Sequence, residues 1–190
     1  MVRAHQHATS VTRHTGGPSN DNNRLAEPDD HAIGRSRGGL STKIHSMADG
    51  RGRPLVVLLG PGQGGDSPMF IPVMEALRVA RPSSGRPRTG PAVVRADKAY
   101  SSRANCRYCR CRGVRCVIPV KDDQKAARKR RGKQGGREYS FDAVSYKQRN
   151  VVERVFASYK QWRALATRYD KLAIVYRAGL VLHDIIDWLT

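Results

Sequence analysis

The chain has 190 residues, 35 Lys and Arg against 16 Asp and Glu, a formal charge of +19 and a pI near 10.6. That balance points to a polyanionic partner, DNA or RNA before an anionic membrane surface. The chain shows no apolar run long enough for a bilayer, no basic helix with a broad apolar face and no apolar leader, so membrane and secreted classes are set aside and a cytoplasmic protein is expected.

Residues 5–39 are rich in His, Asn, Asp, Gly, Ser and Arg without sustained periodicity and read as a loop or partly disordered insertion. Residues 40–48 predict a strand, with Leu40, Thr42, Ile44 and Ser46 alternating against Ser41, Lys43 and His45. Asp49-Gly50 is a hairpin signal, and the apolar run 54–59, PLVVLL, fits a buried returning strand. After the loop GPGQGGDSP, Asp66 or Ser67 is placed to cap a helix that starts near Pro68 and carries Phe70, Ile71, Val73, Met74 and Leu77. Residues 82–91 form a linker-like loop.

A short strand over 92–96 delivers Asp97 at its end, a helix over 101–112 closes at Gly113, and a strand over 114–120 follows. Residues 121–140 read as a charged, glycine-containing excursion. A long helix is expected over 142–165 and a second apolar helix over 171–188. This order predicts an α/β fold with a hairpin at the start of a mixed sheet flanked by helices.

Cys106, Cys109, Cys111 and Cys116 cluster in an arginine-rich stretch. No second ligand pair stands at zinc-finger spacing, so they read as reduced cysteines on a helix and the strand after it.

Two carboxylates stand out. Asp97 lies where a strand gives way to a loop, a place where α/β folds set functional groups and also where aspartates cap the next turn. The long predicted helix carries Tyr146, Arg149, Glu153 and Lys160. At about 100° per residue these four fall within roughly 60° of one another. They make one polar stripe beside an apolar face of Val152, Val155, Phe156 and Tyr159. Without further information the stripe reads equally as a solvated face with ordinary ion pairs.

Tyr146, Arg149, Glu153 and Lys160, with NVVERVFASYKQWRALATRYDK around them, resemble the signature at the third catalytic residue of bacterial insertion-sequence transposases of the Asp-Asp-Glu class. ADKAYSS resembles that family's second-aspartate motif, and GRSRGGLSTKIH, DGRGRPL and LGPGQGGDSP resemble its hairpin and following loop. The resemblance implies an RNase H-like catalytic domain over 40–190 with a basic excursion at 121–140. It implies DNA strand cleavage and strand transfer, with transposon ends and target DNA as substrates. A second copy or a full-length transposase is the protein partner implied. Asp97 and Glu153 would be the second and third carboxylates and hold Mg²⁺ or Mn²⁺. Tyr146, Arg149, Lys160 and Lys98 would contact DNA phosphates. The basic run at 125–133, with Arg128, Lys129, Arg130 and Arg131, is a further phosphate-binding candidate or else a solvated loop.

The family's first aspartate lies in a motif resembling D-S-T-x-V-R-A-H-Q-H, and Val2 to His7 resemble its tail. The expectation is therefore that residues 1–39 hold a remnant of the first strand plus a flexible insertion. The first strand is then largely missing, the first aspartate falls just before Met1, metal binding is weak and this chain is inactive. The alternative is a non-enzymatic DNA-binding relic. Asp49 is expected to be a turn residue and not a substitute for the missing carboxylate.

Overall fold

The computed structural model describes residues 2–6, 27–135 and 139–190, so most of the polar insertion predicted for 5–39 lies outside the described residues. The chain forms two compact units: Met1–Gly65 with Val151–Thr190, and Asp66–Asn150.

The first unit is built on a five-stranded sheet. Its strands are β1 (Val2–Gln6), β2 (Gly34–Ser36), β3 (Gly39–Ala48), β4 (Pro54–Pro61) and β7 (Thr167–Arg168). Of the expected first strand, Val2–Gln6 are present as β1. They lie inside the sheet, antiparallel to β3 (Val2 opposite Ile44) on one side and parallel to β7 (His5 opposite Thr167) on the other. β2 and β4 share the opposite edge of β3, pairing with its start and its remainder.

The alternation expected in β3 is not what the strand shows. Ser41, Thr42, Lys43, Ile44 and His45 are buried in succession, so both faces are covered. A strand covered on both faces places polar groups in the interior, and these need partners. Thr42 Oγ1 donates to the Ala32 carbonyl at 2.7 Å, and Lys43 Nζ donates to the Gly64 carbonyl.

One face of the sheet packs on helices α5 (Asn150–Gln161), α6 (Arg163–Ala166) and α7 (Ala173–Leu189). The core joins Ile44 and Val57 to Val155, Phe156, Tyr159, Leu165, Tyr176 and Leu180, with Val152 packed against it. The apolar face predicted for residues 152–159 is thus the face that packs. Truncating Leu180, which is fully buried, to Ala costs about 2–5 kcal/mol.

Two long-range contacts fix the start of α7. No side chain of its own caps its N-terminus, and the Glu27 carboxylate accepts the Ala173 and Ile174 N–H groups at 2.7 and 2.8 Å. Beside it, Arg168 is fully buried and donates to the His31 carbonyl, Thr42 Oγ1 and the Asp170 and Lys171 carbonyls. These bonds close on a turn in which His31 and Ala32 hold φ of 50° and 51°, a left-handed conformation that costs residues with a Cβ.

The second unit holds α1 (Phe70–Glu75), β5 (Val93–Arg95), α2 (Arg103–Cys111), β6 (Arg115–Val117), α3 (Asp122–Arg130) and α4 (Ala143–Lys147). β5 and β6 pair in parallel as a separate two-stranded sheet, where the sequence predicts one mixed sheet. Phe70, Val73, Met74, Leu77, Cys109, Val114, Val117 and Ile118 are its buried apolar residues.

Two further expectations are corrected. The excursion at 121–140 contains a helix, α3, ending at Gly132 with φ 49°. Its Lys, Ala, Arg and Gln residues favour helix, Asp122 and Asp123 sit at its positive end, and Arg128, Lys129 and Arg130 at its negative end. The long helix at 142–165 is three pieces, α4, α5 and α6. Between α4 and α5 the backbone tightens: Arg149 N–H bonds the Tyr146 carbonyl, three residues back. Between α5 and α6, Trp162 leaves helical dihedrals (φ −92°, ψ 107°), and its indole meets His183 edge-on at 5.1 Å.

Candidate functional site

In the second unit, β5 ends at Arg95, and two residues later Asp97 enters an extended conformation that turns the chain into the 3₁₀ turn Lys98–Tyr100. Asp97 is exposed, and its carboxylate accepts the Lys98 N–H at 2.6 Å. It therefore caps the turn while keeping an exposed carboxylate. Lys98 is exposed beside it. Under the turn, Tyr100 packs on Phe70 with ring centres 6.0 Å apart, and burial with the nearby Asp66 and Asp97 charges pushes its hydroxyl up to about 12. That cap and ring contact fix the backbone that carries Asp97.

The same unit carries Tyr146 and Arg149. Asp142 accepts the Ser145 N–H at 2.8 Å, which caps α4. Asp142 also binds Arg115 at 2.7 Å, and Arg95 donates to the Ser145 carbonyl and hydroxyl. α4 is thereby tied to β5, the strand that leads to Asp97. The Arg149 guanidinium lies 5.5 Å from the centre of the Tyr146 ring, and that ring meets Phe141 at 5.2 Å. A guanidinium over an aromatic face keeps its charge and its donors directed outward. Arg128, Lys129 and Arg130 form the last turn of α3 and Arg131 caps it, so these candidates stand on a helix and not on a loop.

Glu153 and Lys160 belong to the first unit, both exposed on α5, whose opposite face is buried in the core. Among the described residues no group of three or more His, Cys, Asp or Glu is arranged to hold a metal ion.

Asp49 occupies the turn between β3 and β4. Its carboxylate accepts the Arg51 and Arg53 N–H groups at 2.9 and 3.0 Å and two bonds from the Arg53 guanidinium. Burial alone would raise this carboxyl, but the Arg53 and Arg51 bonds outweigh it and hold it below the ordinary value. Gly52 completes the turn at φ 94°, a conformation that suits glycine.

Sequence reading missed a polar cluster between α5 and α7. Ser158 Oγ lies 2.9 Å from His183 Nε2, and His183 Nδ1 lies 3.5 Å from Asp187. Residue types alone evoke a hydrolytic Ser-His-Asp set. His183 is only 1% exposed and is walled by the Tyr159 and Trp162 rings at 4.9 and 5.1 Å. Nucleophilic catalysis needs a substrate within reach of the Ser–His pair, and the cluster reads as interior packing. Next to it, Tyr159 donates to Asp184 at 2.6 Å. Burial and the Asp187 charge push Asp184 up to about 6 against that hydrogen bond.

Cys106, Cys109 and Cys111 lie on α2 and Cys116 on β6, the helix and following strand expected for them, with Cys109 buried and Cys111 exposed. The Cys116 thiol faces both Cys106 and Cys109. A hydrogen bond from Cys116, aided by Arg110 and opposed by burial, brings Cys106 down to about 6, while Cys116 itself is pushed up.

Residues 8–182 match the family model for a transposase DDE domain. The chain is also 30% identical over 162 residues to a protein described as a transposase for insertion sequence element IS402 of Burkholderia cepacia, which covers 85% of this chain and 69% of that one. No solved structure matches it. No helix among the described residues is long and apolar enough to cross a membrane.

Proposed function

The chain belongs to the DDE transposase domain family, and from that membership we propose that it is the strand-processing domain of an insertion-sequence transposase acting on DNA in the cytoplasm. We assign Asp97 as the second and Glu153 as the third carboxylate of the family's triad, on an RNase H-like arrangement of the mixed α/β elements. What supports the assignment is that each carboxylate is exposed on a fixed support of its own unit, Asp97 on the capped turn after β5 and Glu153 on α5, whose other face is buried in the core.

Exposed carboxylates are hard oxygen donors of the type that Mg²⁺ and Mn²⁺ take, so the chemistry of the pair fits the divalent ion such domains use. When bound, the ion supplies charge for an in-line phosphoryl transfer. The chain's own contribution is positioning. Asp97 and Glu153 would hold the ion, and Arg149, over the Tyr146 ring, would clamp two oxygens of a phosphate with two parallel N–H bonds. Lys98 and Lys160 contribute point charges to the backbone nearby, and Arg128, Lys129, Arg130 and Arg131 hold DNA outside the reacting region. A second copy or a full-length transposase completes the assembly.

A second reading is a DNA-binding relic without catalytic activity, for which the net charge of +19 supplies the affinity. Strand cleavage on duplex DNA carrying the transposon ends, with Mg²⁺ or Mn²⁺, separates the two. Cleavage that disappears in both D97A and E153A establishes the enzyme and its carboxylates. Salt-sensitive binding without cleavage supports the relic and overturns the catalytic reading. Cleavage that survives either substitution overturns the assignment.

A further inference from the structure

Helix α2 carries a second basic surface that the family signature does not include. Asn105 and Cys109 bury its inner side. Asn105 donates to Ser67 and to the Tyr100 carbonyl, which anchors that side to its own unit. Arg103, Arg107 and Arg110 are exposed. At about 100° per residue they fall within roughly 40–60° of one another, on the side away from Asn105 and Cys109.

No acidic residue occurs between Lys98 and Lys121, and among the described residues none of these three arginines enters an ion pair. Their neighbours differ. Arg112 stacks on Tyr108 and donates to its hydroxyl, and Arg115 is held by Asp142.

The stripe runs against helix stability. Arg103 opens the helix, where the macrodipole is positive, and the first turn carries no acidic residue to offset it. Like charges three and four residues apart, Arg103 with Arg107 and Arg107 with Arg110, repel one another. A local arrangement that opposes its own element marks a place where binding, not folding, selects the residues. From Arg103 to Arg110 the stripe spans about 10 Å. Three exposed guanidinium groups on that length, each on a long side chain, can reach neighbouring phosphates of one DNA strand.

We propose that Arg103, Arg107 and Arg110 of α2 form a second duplex-DNA backbone contact, separate from the carboxylates and from the basic turn of α3. The inference rests on the DNA-processing reading and names where the duplex lies along this unit. It carries no base specificity, because backbone contacts position without reading sequence.

The test is the salt dependence of binding of the full chain to a short fluorescent duplex, read by anisotropy over a KCl series. The variants are R103Q/R107Q/R110Q, its charge-preserving counterpart R103K/R107K/R110K, and R128Q/K129Q/R130Q/R131Q. The slope of log K against log salt should fall by about 2–3 in the α2 glutamine variant, at about 0.9 per phosphate contact. It should return with lysine, with far-ultraviolet circular dichroism unchanged throughout. An unchanged slope in the α2 glutamine variant, with a reduced slope in the α3 variant, overturns this inference and leaves the DNA-processing reading in place. Loss of slope in the lysine variant as well overturns a charge-based contact. A wild-type chain that fails to bind duplex DNA overturns the reading and the inference together. Weakened capture of an acidic polypeptide with unchanged duplex affinity assigns the stripe to a protein partner and overturns the DNA contact.

Discussion

The Asp49 carboxylate is held by the Arg53 guanidinium at 2.8 and 2.6 Å, across the turn that joins β3 to β4. Arg53 also lies 4.2 Å over the Trp188 ring, whose Nε1 donates to the Pro54 carbonyl. The pair therefore links the hairpin to the last turn of α7, and its carboxylate oxygens are committed to structure.

Replacing Asp49 should accordingly act on stability and not on ion binding. D49A removes the acceptor for two backbone N–H groups and one guanidinium and should cost about 1–3 kcal/mol. A thermal melt checks the loss, and a Mn²⁺ titration of D49A should match the parent chain. Weakened Mn²⁺ binding without a lower midpoint would make Asp49 a metal ligand.

Asp184 should make stability depend on acid. Burial and the nearby Asp187 charge push its folded carboxyl up to about 6, above the ordinary carboxylate range, although the Tyr159 hydroxyl donates to it. The folded chain therefore holds this proton when the unfolded chain has released it. The contribution is fully present below about pH 4 and is lost as pH rises through about 6. Denaturant melts at pH values from about 3.5 to about 7 should show wild type losing stability between about pH 4 and 6, a fall that D184N lacks. An identical pH profile in D184N removes Asp184 as the source.

Cys106 should alkylate unusually early. With its thiol brought down to about 6 by Cys116, iodoacetamide labelling at Cys106 should reach half its plateau rate near that pH. C116S, which weakens the thiol donor, should move the midpoint toward the ordinary thiol value of about 8.5. A midpoint already near the ordinary value in the parent chain would show that Cys116 does not stabilise the thiolate.

Much of the core was legible in the sequence, because Val152, Val155, Phe156 and Tyr159 recur at helical spacing and pack as that spacing requires. The hairpin turn at Asp49-Gly50 and the strand that leads to Asp97 were legible through turn chemistry and short apolar runs. What was not legible depends on contacts distant in sequence. β3 is buried on both faces, with Ile44 in the core under the helices and Lys43 bonded to the Gly64 carbonyl, which no alternation within β3 announces. The Glu27 cap of α7 spans 146 residues, and β7 is two residues long. The break after Lys147 has neither Pro nor Gly to mark it. α3 was hidden by its charge, since a basic run with glycine beyond it reads as a loop until its helix formers and end charges are weighed. Of the site, residue types and spacing left Asp97 and Glu153 open to a cap and a solvated face, and only the family resemblance proposed them as carboxylates of a triad, while the α2 stripe went unread because its arginines are interleaved with cysteines.

Asp97 and Glu153 are the two carboxylates proposed to serve the divalent ion. Calorimetric titration of Mn²⁺ into the full chain, D97A, E153A and the double variant tests this most directly. Both single variants should lose affinity by about tenfold or more, and the double variant should be little worse than either, because groups that share one ligand are not additive. An affinity unchanged by either single substitution, or losses that simply add, would contradict a shared site.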